Sequence, residues 1–153
     1  MINLVKADFA DCSEMQKMQS TAFNELLLKY RDYKTNPALE TLDVIREKMK
    51  SSDYYFIMCC DDKIGGVRII RSESFCRISP IFILPEFQNK GYAQTVLKQI
   101  ELLYPEIKEW HLDTIKQEEK LIHLYNKLGY KETGREECIQ SGMDIVFLEK
   151  HIS

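Results

Sequence analysis

Between Tyr54 and Ile83 three β-branched and aromatic runs follow one another with short polar breaks: "YYFIMCC", "IGGVRIIRSE" and "FCRISPIFIL". The first two flank Asp61-Asp62-Lys63, a hairpin signal. Runs this close together pair with their neighbours, so residues 54–83 read as an antiparallel meander. Helical periods lie on both sides of it. "DCSEMQKMQSTAFNELLLKY" opens with Asp11 and Glu14 in capping-box spacing and sets Met15, Met18, Ala22 and Leu26 on one face. Asn36-Pro37 reads as a cap and first position of a second helix, with Leu42, Ile45 and Met49 as its buried stripe. "INLVKA" before them reads as an edge strand.

After the meander come a helix over 91–104 stopped by Pro105, a buried strand "EWHLDTI", and a helix over 118–128 with Leu121, Leu124, Tyr125 and Leu128 at i, i+3, i+4, i+7. Gly129 ends that helix. "YKETGREECI" and "MDIVFLE" form a last hairpin turning near Ser141-Gly142. The order βααβββαβαββ describes an α/β protein with a mixed sheet and helices on both faces. With 153 residues and no repeats or Gly/Ser linkers, residues 1–153 read as a single domain.

Composition narrows function mainly by exclusion. A net charge of −3 argues against a nucleic-acid binder. No apolar run approaches a membrane span, and "MINLVKADFADC" lacks the form of a signal peptide. The five cysteines follow no CxxC pattern and mostly sit in apolar runs, as buried thiols of a reducing, cytoplasmic protein do. His111, His123 and His151 show no metal-ligand spacing, so no metal is expected.

The chemistry points to "FILPEFQNKGYAQTVL", Phe82 to Leu97. A strand reaches Pro85, and a helix starts near Gly91 with no Ser, Thr or Asp at the cap. A helix start leaves backbone N–H groups unpaired and carries about half a positive charge. A phosphate answers both needs. Gly91 lets a ligand approach the backbone, and Ala93 is small. The stretch is neither a Walker A loop nor GxGxxG. Taken alone, it also fits a strand-to-helix turn with a glycine for geometry.

A second stretch, "LDTIKQEEKLIHLYNKLGY" from Leu112, decides between them. "PEFQNKGYA" and "LYNKLGY" together resemble the GCN5-related N-acetyltransferase (GNAT) family. The resemblance covers nearly the whole chain and implies a mostly antiparallel sheet whose fourth and fifth strands splay apart at a bulge. It implies acetyl-CoA as cosubstrate, its pyrophosphate on the backbone amides of Asn89, Lys90, Gly91, Tyr92, Ala93 and Gln94, its pantetheine arm along Ile81, Phe82 and Ile83, and Gln88 also among the cofactor-binding residues. It implies transfer of the acetyl group to a primary amine, on a small molecule or a peptide, by direct attack. Tyr125 becomes the candidate general acid, although it also lies on its helix's buried stripe. Asp113 is the candidate base, with a structural aspartate or a water relay as alternatives. Tyr30, Asp32 and Tyr33 in "KYRDYKTNPA" could recognise an amine by charge and cation–π contact, or be an ordinary surface loop. Gly65-Gly66 suggests a bulge or a close approach, and Trp110 a core residue. Many family members carry asparagine where this chain has Glu118; that carboxylate is read as a favourable acid at its own helix start, outside the site. Homodimers are common in the family. A non-catalytic acyl-CoA-binding module of the same fold is the alternative function.

Overall fold

The computed structural model describes residues 1–153. Its strands are β1 (Ile2–Lys6), β2 (Asp53–Cys59), β3 (Asp62–Arg71), β4 (Cys76–Ile83), β5 (Glu109–Ile115), β6 (Lys131–Gln140) and β7 (Met143–His151). The helices are α1 (Cys12–Tyr30), α2 (Leu42–Ser51), α3 (Tyr92–Leu103) and α4 (Glu119–Lys127). All seven strands join one sheet in the order β1-β2-β3-β4-β5-β7-β6. Every neighbouring pair is antiparallel except β4 and β5. The meander from Tyr54 to Ile83 stands as its sequence implies.

One core fills the face under α3 and α4, around Ile57, Ile69, Leu97, Ile100 and Leu148. Trp110 belongs to it, fully buried, edge-on to Tyr104 at 5.9 Å. A smaller core under α1 and α2 collects Met15, Ile45, Tyr54, Phe56 and Phe82. The helices thus lie on both faces, as expected.

Two features of the sheet open a slot. β4 and β5 pair only at Cys76–Trp110 and Arg77–His111. Beyond Arg77 the edge of β4 has no strand beside it, while β5 continues paired with β7 to Ile115. In the β3–β4 ladder Val67 faces Ile81 but Ile69 faces Ile78, so β4 carries one extra residue around Ser79-Pro80. Such a bulge bends its strand and increases local twist. The splay and the bulge therefore occur together.

Gly65 and Gly66 serve packing. A Cβ on Gly65 would lie 2.1 Å from the carbonyl oxygen of Phe82, and one on Gly66 2.6 Å from the Phe82 ring. The close approach is by β4 itself. A register shift between Ile57 and Met58 also puts a bulge beside them.

Two helix starts differ from their sequence reading. The capping box forms one turn earlier, at Asp8 and Asp11, around a short 3₁₀ turn over Phe9–Asp11. Glu14 instead takes Lys63 at 2.5 Å. Asn36-Pro37 caps a separate 3₁₀ turn, Pro37–Leu39, and Thr41 caps α2. Both offsets follow from polar residues clustered near each start, several of which can accept a backbone N–H.

Candidate functional site

The slot opens into a cavity of about 530 Å³, twelve of whose twenty lining residues are hydrophobic. Its floor is the free edge of β4 at Ile81, Phe82 and Ile83. Phe87, Gln88 and Asn89 lead along one side to the first turn of α3 at Gly91, Tyr92, Ala93 and Gln94. Leu121, Leu124 and Tyr125 of α4 form another wall. Ala22, Phe23, Leu26 and Lys29 of α1 close the cavity from across.

The start of α3 is bare. Gly91 holds the cap position at φ 79°, and no side chain bonds to the first turn. The first helical bond runs from the Thr95 N–H to the Gly91 carbonyl. The N–H groups of Tyr92, Ala93 and Gln94 thus have no partner within the helix. Asn89, at φ 63°, adds a second left-handed residue. Alternation of this kind turns successive N–H groups toward one side, the geometry of an anion cradle. A Cβ on Gly91 would meet nothing within 4 Å, so the approach is open. Diphosphate chemistry therefore fits the residues present. Lys90 lies outside the cavity lining, its ammonium 6.0 Å above the Phe87 ring. Gln88 lines the cavity, but its amide donates to the Ile83 carbonyl at 2.8 Å, tying the loop to the end of β4.

Tyr125 is 7% exposed and stands edge-on to Tyr130 at 6.2 Å. Burial, and then the negative charge of Asp113, push its phenol up to about 12. At neutral pH it therefore keeps its proton. Asp113 lies outside the cavity lining. The strand's alternation buries Trp110, Leu112 and Thr114 and leaves Asp113 on the other face, as expected. There its Oδ1 accepts a hydrogen bond from Arg77 at 2.7 Å.

The loop after α1 is arranged differently from its sequence reading. Tyr30, Asp32 and Tyr33 are all absent from the cavity lining. Asp32 is 2% exposed; its carboxylate accepts the N–H groups of Lys34 and Thr35 at 3.1 Å and the Thr35 hydroxyl. Burial would raise its pKa, but those bonds outweigh it and hold the carboxyl below its ordinary range. Asp32 shapes a turn. Tyr33 points into solvent, 66% exposed. Tyr30 donates its hydroxyl to Glu118.

Glu118 lines the cavity, contrary to its sequence reading. It stands at the cap of α4, yet its side chain does not bond back to the helix. It crosses to α1, where its Oε2 takes the Lys29 ammonium at 2.6 Å and the Tyr30 hydroxyl. Burial works against its ionisation, but these two donors prevail and lower its pKa. Lys29 and Glu118 are 89 residues apart, and no local pattern joins them. Ala22 and Leu26 were visible as a helical stripe, though not as a cavity wall.

A family model described as an acetyltransferase (GNAT) domain matches residues 27–152. The chain belongs to the GNAT acetyltransferase family. No curated protein matches it in sequence. Among solved structures it is similar to a GNAT family acetyltransferase from Elizabethkingia anophelis with acetyl-CoA bound, at 16% identity and TM-score 0.72 over 99% of this chain and 98% of that one. It is also similar to the ribosomal-protein-S18-alanine N-acetyltransferase of Escherichia coli, at 13% identity and TM-score 0.78 over 100% and 95%. A third is the Vibrio cholerae spermidine N-acetyltransferase in complex with CoA and spermine, at 19% identity and TM-score 0.75 over 98% and 95%. At these identities the likeness is one of fold.

Proposed function

We propose that the protein transfers the acetyl group of acetyl-CoA to a primary amine. The observation that carries this reading is the uncapped start of α3 at the edge of an apolar cavity that runs along the unpaired edge of β4. The amides of residues 89–94 would hold the diphosphate. The free edge of β4 at Ile81–Ile83 would pair with the pantetheine arm as an added strand does.

The reaction needs an unprotonated amine, a stabilised oxyanion and a leaving thiolate. An aliphatic amine with a pKa of about 10.4 costs ~4–5 kcal/mol to deprotonate at pH 7. Holding it against the thioester offsets more than that. The amine nitrogen attacks the carbonyl carbon, the C–S bond breaks, and the thiolate leaves with the electron pair. Tyr125 is the donor for that sulfur. Its phenol, at about 12, lies roughly 3.5 units above a thiol of about 8.5, so complete proton transfer is uphill by ~4–5 kcal/mol. Its role is therefore hydrogen-bond donation to the developing thiolate, with protonation completed from water. The amine proton leaves to water at the cavity mouth. Asp113, held by Arg77 and outside the lining, is the lesser candidate for that proton.

The test is thiol release when the protein is mixed with acetyl-CoA and a panel of diamines, polyamines and peptides with free amino termini. Acetylation of at least one class supports the reading. Tight acetyl-CoA binding with no acetylated product across the panel assigns the chain instead to a non-catalytic acyl-CoA-binding role.

A further inference from the structure

We propose that the paired ends of β5 and β7 form a divalent transition-metal site of the zinc type, with Glu109, His111, Glu149 and His151 as its ligands. The site lies at the closed end of the slot and does not depend on the acetyl-transfer reading.

Its basis is strand register. Glu109 faces His151 and His111 faces Glu149 across the antiparallel ladder. Each strand contributes residues two apart, so all four side chains share one face, the face away from Trp110. The two histidines are 40 positions apart in the chain, which is why their spacing carries no metal signature. The ligand atoms of Glu109, His111 and Glu149 all lie within 4.8 Å of one another. His111 Nε2 is 2.5 Å from Glu109 Oε2. His151 Nε2 is 3.1 Å from Glu149 Oε2, and its Nδ1 is 3.8 Å from Glu109 Oε1. Ligands of a tetrahedral zinc at ~2.0–2.1 Å sit roughly 3.4 Å apart, within side-chain adjustment of this arrangement.

Charge supports the same conclusion. The glutamate side chains are only 33% and 35% exposed, and imidazoles are their sole ion-pair partners. Other partly buried carboxylates are matched by lysines, Glu101 by Lys150 and Glu118 by Lys29. Arg77, set opposite His111 by register, is committed to Asp113. Lys131 stands opposite Glu149 on β6 without pairing with it. A dication between neutral imidazoles would balance two carboxylates. Two imidazole nitrogens with two carboxylate oxygens suit zinc, cobalt or nickel, whereas magnesium and calcium prefer all-oxygen shells. The Phe75 ring lies against His111 with centroids 4.3 Å apart and fixes one imidazole in place.

The experiment titrates tag-free, chelator-treated protein with Zn²⁺ against a chromogenic chelator and repeats the titration with Co²⁺, whose visible absorption reports coordination geometry. We expect one equivalent bound by the wild type and by C60S/C138S, which removes the exposed thiols, and a four-coordinate cobalt spectrum. The H111A/H151A double variant should bind at least ~10–100-fold more weakly. The E109Q/E149Q variant, which preserves side-chain shape, should weaken binding likewise. Absence of zinc binding by the wild type, unchanged affinity in H111A/H151A, or loss of the metal in C60S/C138S would overturn the assignment.

Discussion

Glu118, at the cap of α4, accepts the ammonium of Lys29 from the last turn of α1 at 2.6 Å. Both residues line the cavity, so the ion pair ties two of its walls together. Tyr30 adds its hydroxyl to the same oxygen. An asparagine could accept from either donor but could not match the charge of Lys29. The acidic residue therefore links the start of α4 to the end of α1.

Glu118→Gln should lower stability at neutral pH by about 1 kcal/mol, a modest value because the pair reaches solvent. The folded-state pKa of Glu118 is depressed. Its contribution is thus full above its ordinary value of 4.5 and lost as pH falls through the lower folded value. Urea denaturation at neutral and acid pH should give a gap between wild type and variant that closes below that value. A gap that persists or grows in acid would exclude the tie.

Gly65→Ala tests the packing of β4 on β3. The new methyl group would sit 2.1 Å from the Phe82 carbonyl oxygen, which belongs to the backbone and cannot swing aside. Overpacking of this kind costs about 1–3 kcal/mol. Because Phe82 lines the cavity, acetyl-CoA affinity should fall with stability. Thermal melting with and without acetyl-CoA reads both, and an unshifted melting temperature would refute the packing role of Gly65.

The start of α3 was legible in the sequence because a lone glycine without a capping side chain is a local pattern, and so were the alternation of β5 and the stripe of α4. The tie between Glu118 and Lys29 was not, because it joins residues 89 apart through tertiary packing. Asp32 illustrates a different obstacle. An acidic residue in a polar loop suits amine recognition and an Asx turn equally well, and only its burial and three local donors show which it serves. The capping box of α1 slipped by a turn because Asp8, Asp11 and Glu14 can each play the part. The splay of β4 from β5 followed from family resemblance and is seen here as two paired positions followed by an open edge.

Tyr125→Phe and Asp113→Asn should separate the hydrogen-bond donor to the leaving thiolate from the candidate base. Loss of the phenol should reduce kcat by about 10²-fold at unchanged acetyl-CoA affinity. Asp113 is bonded to Arg77 and lies outside the cavity lining, so Asp113→Asn should fall well short of the ~10²-fold loss of a general base. Steady-state kinetics with calorimetric Kd values decide the matter. A full-sized loss in Asp113→Asn with none in Tyr125→Phe would reverse the assignment.

If the backbone amides at the start of α3 grip the diphosphate of acetyl-CoA, isothermal titration of acetyl-CoA into wild type, Gly91→Ala and Gly91→Glu will show it. Both variants carry the strain of φ 79° without a steric clash, and only the glutamate adds negative charge at the cradle. The wild type should bind saturably, the alanine variant slightly more weakly, and the glutamate variant with a further loss of about tenfold or more, ~1.4 kcal/mol. Equal affinity in Gly91→Ala and Gly91→Glu, or no binding heat with the wild type, would contradict it.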